Sequence, residues 1–214
     1  MMADRVIRVM LADDHTLVRE GLKQLLAATP DIRVEGEAAD GDQALALAKA
    51  GNFDLAVIDM SMPGHSGIEL IKRLRAEKPR LRLLVLSMHG EEQYAARAFK
   101  AGAAGYLTKD SASAQLVGAI RKVAGGGVHI SEAAAAQLVG DATNSGNALP
   151  HTRLSNREFE VFRQLVAGEN PTAIAERLHL SVKTVSTHKT RILEKMGMDS
   201  TADLVRYAVE HGLT

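Results

Sequence analysis

Five polar residues stand where short apolar runs of the chain end. Asp13 and Asp14 follow the run 6–12, Asp59 follows 55–58, Ser87 follows 81–86 and Lys109 follows 105–108. Each taken alone has an ordinary explanation, because an aspartate beyond a strand is commonly a turn former and an isolated lysine is commonly solvated. Taken together they place three carboxylates, a hydroxyl and an ammonium on one set of run endings. Three clustered carboxylates repel one another and require compensating positive charge, which a hard divalent cation with oxygen ligands supplies, Mg2+ above all. Asp59 is the best nucleophile candidate, since it follows a fully apolar run and precedes the turn Met-Ser-Met-Pro-Gly. A carboxylate accepts a phosphoryl group when a metal and a lysine offset the developing charge. Lys109 then suits a phosphate clamp, and Ser87 suits a hydroxyl donor to a phosphoryl oxygen.

The elements that must position these groups follow from the pattern. The runs are short and β-branched or Leu-rich, as strands buried on both faces of a parallel sheet are. Ligands bind such sheets at the carboxyl ends of their strands. Residues 5–126 read as five strand and helix alternations. Helices are predicted over 17–27, 42–49, 68–77, 91–100 and 112–123, with strands over 6–12, 32–37, 55–59, 81–87 and 105–108. Thr16 is the expected cap of the first helix, whose inward stripe runs through Leu17/Val18, Gly21/Leu22 and Leu25/Leu26. Right-handed crossovers then make a doubly wound α/β sandwich, a (βα)5 fold.

Beyond Gly125-Gly126-Gly127 the pattern breaks, and 127–151 reads as a linker with a short Ala-rich helix over 131–139. From Leu154 onward the period is helical. Ser155 and Glu158 form a Ser-x-x-Glu capping box, with Val161, Phe162, Leu165 and Val166 as the buried stripe. Pro171 opens a short helix through 178 with Ile174 and Leu178 inward, and Ser181 caps a third helix over 182–196 that Gly197 ends. A fourth helix covers 201–210. The second and third, joined by the turn 179–181, make a helix-turn-helix in an all-α four-helix unit. On the third helix Val182, Val185, Ile192, Leu193 and Met196 are expected inward. Lys183, Ser186, Thr187, Thr190, Arg191 and Glu194 share the other side. Lys183, Lys189, Arg191 and Lys195 against Glu194 leave a surplus of three positive charges over 182–195. Such a helix either lies solvated or enters a major groove, where cations meet phosphates and hydroxyls meet base edges.

Composition bounds the rest. At 214 residues and 46 % hydrophobic content the chain has room for two small cores. Lys plus Arg equals Asp plus Glu at 26 each, so any nucleic-acid surface is local. Absent cysteine excludes disulfides and thiolate metal sites. No apolar run reaches the roughly 20 residues of a membrane span, and the start lacks a signal-peptide core, so a cytoplasmic protein without membrane partners is expected.

Residues 5–126 resemble a receiver domain of a two-component response regulator, through Asp13-Asp14, the string 59–67, Ser87 and the string 100–109. Residues 152–214 are similar to a LuxR-type DNA-binding domain, through Leu154-Ser-x-Arg-Glu158, Gly168, Ile174-Ala175, Leu178 and the string 180–188. Together they resemble the NarL/FixJ class. The resemblance implies that Asp59 takes phosphate from a sensor histidine kinase, that Asp14, Asp59 and the Ser61 carbonyl bind Mg2+ directly, and that Asp13 acts partly through water. It implies that Ser87 and Tyr106 move on phosphorylation, the ring turning inward, and that Ser61 and His89 influence the lifetime of the phosphate. Asp110 stands where many receivers carry proline, which leaves the peptide geometry at Lys109 open. Pro171-Thr172-Ala173 and Ser186 depart from the DNA-binding pattern and should alter the preferred operator.

The implied protein is a bacterial transcriptional regulator that binds double-stranded promoter DNA as a homodimer on activation, with RNA polymerase as a further partner. Its candidate DNA contacts are Lys183, Thr184, Ser186, Thr187, Lys189, Thr190 and Arg191, with base readout by Ser186, Thr187 and Thr190. Leu204, Val205 and Ala208 could contact a second DNA domain or be core. It is expected to be no enzyme beyond its own phosphoryl transfer and autodephosphorylation. A Mg2+-dependent phosphatase would place a second acid two residues after the nucleophile, where this chain has Ser61. A regulator that uses the receiver fold only for assembly is the other rival.

Overall fold

A strand buried on both faces belongs in the middle of a sheet, and Leu55–Asp59 (β3), buried at all five positions, occupies the centre. In the computed structural model the described residues are 6–62, 67–88, 91–131, 134–136, 138, 149–178 and 180–213. Pro63, Gly64, His65, Ser66, His89 and His179, to which the motif readings also refer, lie outside them, as do residues 132, 133, 137 and 139 of the expected helix over 131–139. They form two compact units, dividing at Gly140/Asp141.

The first unit alternates β1 (Ile7–Ala12), α1 (Thr16–Ala27), β2 (Ile32–Ala38), α2 (Gly41–Ala50), β3, α3 (Gly67–Glu77), β4 (Arg82–Ser87), α4 (Glu91–Ala101), β5 (Gly105–Thr108) and α5 (Lys109–Ala124). All five strands are parallel in the order β2-β1-β3-β4-β5, so β1 and β3 are neighbours whose connections leave in opposite directions. A crevice opens at such a switch point, beyond the strand carboxyl ends. Val9, Leu11, Leu55, Val57, Leu84, Leu86 and Leu107 pack on Leu22 and Leu26 of α1 and Leu116, Ile120 and Val123 of α5.

Three local expectations need correcting. Thr16 is the first helical residue of α1 and not its cap, and no side chain caps that end, because His15 already takes the preceding position with its amide on Asp13. Leu17 lies outside the buried stripe at 89 % exposure, since Leu22 and Leu26 define the inward face. Helix α5 begins at Lys109, three residues early, because the Thr108 hydroxyl accepts from the Ser111 amide and caps it there. The residues just beyond Gly127, read as linker, still touch the sheet. Their His129 forms an isolated parallel bridge with Gly105, and its carbonyl accepts from the Tyr106 amide at 3.0 Å. At Gly105 a Cβ would lie 2.6 Å from a Leu84 methyl and 3.0 Å from a Val123 methyl, so a side chain here would have to push the Leu84 methyl aside.

The second unit contains a 3-10 turn (Pro150–Arg153), α6 (Asn156–Val166), α7 (Pro171–Arg177), α8 (Val182–Met196) and α9 (Thr201–Glu210). The capping box forms as the spacing requires: the Ser155 hydroxyl accepts from the Glu158 amide and the Glu158 carboxylate from the Ser155 amide. Phe159, Val161, Phe162, Ile174, Val185, Ile192, Leu204 and Ala208 are fully buried, so Leu204 and Ala208 are core. Gly197, at φ 64°, ends α8 in the left-handed conformation that glycine adopts without strain. Val182, expected inward, is 45 % exposed, because the first turn of α8 lies outside the packed stripe of Val185, Ile192 and Met196.

Candidate functional site

Asp13 and Asp14 sit just beyond β1 and Asp59 ends the adjacent β3, so the switch point brings all three together. Ligand atoms of Asp13, Asp14, His15 and Asp59 lie within 4.8 Å of one another. Lys109, at the start of α5, completes the group: its Nζ donates to Asp59 Oδ2 at 3.0 Å and lies 2.7 Å from Asp13 Oδ2. One ammonium, 10 % exposed, therefore serves two carboxylates that are 1–3 % exposed. The Ser61 amide donates to Asp59 Oδ1 at 3.3 Å. Ser87 is fully buried on the same rim, one residue beyond the register partner of Asp59.

Burial pushes the Asp59 carboxyl above its ordinary value, and Asp13 adds to this while Lys109 and the Ser61 amide oppose it. Burial works against the charged form of Lys109 too, but its two carboxylates outweigh burial and hold it above the usual lysine range. The cluster is thus short of positive charge. Asp14 Oδ1 is buried and lies 2.8 Å from His15 Nδ1 without hydrogen-bond alignment, leaving lone pairs to offer. A divalent cation with oxygen ligands fits these donors. Asp13 Oδ1 accepts from the His15 amide at 2.8 Å, while its Oδ2 lies 2.7 Å from the Lys109 ammonium without hydrogen-bond alignment, so it too has lone pairs to offer.

Two details were not legible in the motif. Arg19 of α1, 14 % exposed, reaches back and donates to the Asp13 carbonyl at 2.5 Å, pinning the acidic loop. In sequence it is one more arginine on a polar helix face. Tyr106 is only 2 % exposed, so the ring expected to turn inward already lies inside, flanked by the β4 pairing and by His129. The peptide bond after Lys109 is trans, as a non-proline bond to Asp110 should be.

On α8, Lys183, Ser186, Thr187, Thr190 and Arg191 are exposed together with Glu194, while Thr184 and Lys189 are half-buried. Thr184 is drawn into the cap, its hydroxyl 2.7 Å from that of Ser181. Lys195 is withdrawn from the cationic surplus: its Nζ donates to both carboxylate oxygens of Glu158 at 2.9 and 2.6 Å. Burial alone would raise the Glu158 carboxyl, but Lys195 and the Ser155 amide and hydroxyl outweigh it and hold it below the usual carboxylate range. Arg157 donates to the Leu178 carbonyl at 2.6 Å, tying the end of α7 to α6. The helix-turn-helix is thus fastened from behind, with its outer face left to solvent.

Comparison with known proteins agrees with this division. Residues 9–121 match the family described as response regulator receiver domain, and residues 152–208 match bacterial regulatory proteins of the luxR family. The chain is 36 % identical over 207 residues to the transcriptional regulatory protein MctR of Rhizobium johnstonii, covering 97 % of this chain and 95 % of that one. It is 34 % identical over 213 residues to the response regulator UvrY of Escherichia coli, covering 97 % and 96 %. Among solved structures it resembles RcsB of Salmonella enterica bound to promoter rprA with the phosphomimetic BeF3−, with TM-score 0.62, 26 % identity and coverage of 95 % and 98 %. The chain belongs to the two-component response regulators of the NarL/FixJ class, with a receiver domain and a LuxR-type DNA-binding domain. No described helix is long and apolar enough to cross a membrane.

Proposed function

We propose that Asp59 accepts a phosphoryl group from a sensor histidine kinase and that the phosphorylated chain, as a homodimer, binds promoter DNA to regulate transcription. The observation that carries this reading is the single ammonium shared by Asp13 and Asp59 at 2.7 and 3.0 Å in a buried acidic cluster. Mg2+, held by Asp14, Asp59 and the Ser61 carbonyl and through water by Asp13, would neutralise the phosphoryl oxygens and the attacking carboxylate. An Asp59 oxygen attacks phosphorus, a P–O bond forms, the P–N bond to the donor histidine breaks, and the imidazole nitrogen leaves to take up a proton. Lys109 moves its contact from the carboxylate to a phosphoryl oxygen, and the Ser87 hydroxyl donates to another. Because Tyr106 already lies inside, the change falls on Ser87 and α4 rather than on a further turn of that ring.

In this reading the protein turns over no separate substrate, catalysing only its own phosphoryl transfer and autodephosphorylation in the cytoplasm. A small helical unit carrying nine Lys/Arg and eight Asp/Glu over 151–214 binds duplex weakly alone, and pairing two of them raises affinity through effective concentration. Contact with RNA polymerase would follow on the promoter. The test compares mass by light scattering and affinity for a selected duplex, with and without a small phosphodonor and Mg2+. Phosphodonor should raise both in the native chain and neither in Asp59→Asn. Equal values throughout, with normal promoter control by Asp59→Ala, would leave the receiver as an assembly module only.

A further inference from the structure

The exposed face of α8 carries an unusual sequence of chemistry along one ridge. Val182, Ser186 and Thr190 succeed one another at four-residue intervals, with Thr187 beside them, and all four are exposed. Each hydroxyl of this set turns back on the helix. Ser186 Oγ donates to the Val182 carbonyl at 3.0 Å, Thr187 Oγ1 to the Lys183 carbonyl at 3.0 Å and Thr190 Oγ1 to the Ser186 carbonyl at 3.2 Å.

A carbonyl has no hydrogen to give, so each of these bonds commits the hydroxyl hydrogen to the helix backbone. What remains for a ligand is the oxygen lone pairs. With the γ-methyls of Thr187 and Thr190 and the isopropyl group of Val182, these short side chains add acceptors and methyls to the face and no donors of their own. The cations are Lys183, one turn before Thr187 on the same face, Arg191, one turn after it, and Lys189 at the half-buried edge, while Lys195 is held by Glu158.

The bases differ in what they need from such a surface. Guanine presents two acceptors, N7 and O6, to the major groove and calls for donors. An A·T pair presents the adenine N6 amino donor, which a hydroxyl oxygen can accept, and the thymine C5-methyl, which packs on a threonine or valine methyl. We propose that α8 reads A·T pairs beneath Val182, Ser186, Thr187 and Thr190, through thymine-methyl contact and acceptance from adenine, with Lys183, Lys189 and Arg191 on phosphates. This rests on the DNA-binding reading of the helical unit and names the bases that it selects.

The test is selection of bound sequences from random duplex by the full-length chain, with Mg2+ and a small phosphodonor, followed by replacement of single thymines by uracil, which removes only the methyl group. A·T pairs should be enriched in the central positions of each half-site. Each contacted thymine should lose about fourfold in affinity as uracil, from the burial of roughly one methylene's worth of apolar surface. Thr187→Ser and Thr190→Ser, both exposed and retaining the hydroxyl, should each abolish the uracil effect at one position and leave the others. Enrichment of guanine at those positions, or equal binding of thymine and uracil duplexes, overturns the inference while leaving DNA binding intact. Failure to enrich any duplex overturns the DNA reading and the inference with it.

Discussion

The two units each contain a lysine against buried carboxylate, and the two pairs behave oppositely. In the receiver unit Lys109 is divided between Asp13 and Asp59, and Asp59 is pushed above its ordinary pKa by burial. In the helical unit Lys195 serves Glu158 alone, which also accepts from the Ser155 amide, and Glu158 is held below its ordinary pKa. The first arrangement leaves a demand for positive charge at a strand rim. The second is satisfied and serves to hold α8 against α6. The same residue types thus leave charge unbalanced at the strand rim and make a balanced structural brace in the helical unit.

Five perturbations sharpen or break that contrast. Lys109→Ala leaves Asp13 and Asp59 buried without their shared cation, and removing one partner of a buried pair costs about 3 to 5 kcal/mol. Chemical denaturation should show that loss in the receiver transition, and an unchanged midpoint there would mean that the two carboxylates do not need the ammonium. Mg2+ at about a hundred times its Kd should restore some 2.7 kcal/mol to the native receiver. Calorimetry with and without a chelator should find the helical transition unmoved.

Glu158→Ala removes a cap and a charged contact together, for a loss of about 2 kcal/mol confined to the helical unit. This brace also has a pH signature. Because the folded pKa of Glu158 is depressed, the unfolded chain binds more protons between that value and the ordinary 4.5. Its stabilisation is present above 4.5 and is lost as pH falls through the folded value. An acid titration of the helical unit should flatten in Glu158→Gln, and parallel curves would remove Glu158 from the account. The smallest effect is expected of Arg19→Ala, about 1 kcal/mol in the receiver from the lost contact to the Asp13 carbonyl. A matching loss of Mg2+ affinity by isothermal titration, partly rescued by Arg19→Lys, would show that Arg19 positions the acidic loop.

Much of this architecture was legible in the chain because it is written in local patterns. Strands buried on both faces leave apolar runs, and polar residues at run endings such as Asp59 and Ser87 mark the rim on which they fall. The capping box at Ser155 and the glycine stop at Gly197 follow from spacing alone. What escaped depends on contacts made across the fold. Thr108 reads as strand but caps α5, since the cap is defined by an amide on the next element. Val182 and Leu17 fit helical stripes on paper yet stay exposed, because which part of a stripe meets the core is set by the neighbouring helices. Lys195 adds to the net charge of α8 in sequence, but its ammonium is held by Glu158, 37 positions upstream. The direction of the Ser186, Thr187 and Thr190 hydroxyls, which decides what α8 can offer a base, has no trace in composition.

The central claim is that the charge imbalance at the strand rim makes Asp59 a reversible phosphoryl acceptor. Mass spectrometry of the intact chain after incubation with Mg2+ and a small phosphodonor, with fragmentation to locate the adduct, tests it most directly. The account predicts one added phosphoryl group on Asp59, absent from Asp59→Asn and not formed when the metal is chelated before the donor is added. No adduct, or one on another residue that persists in Asp59→Asn, would contradict it.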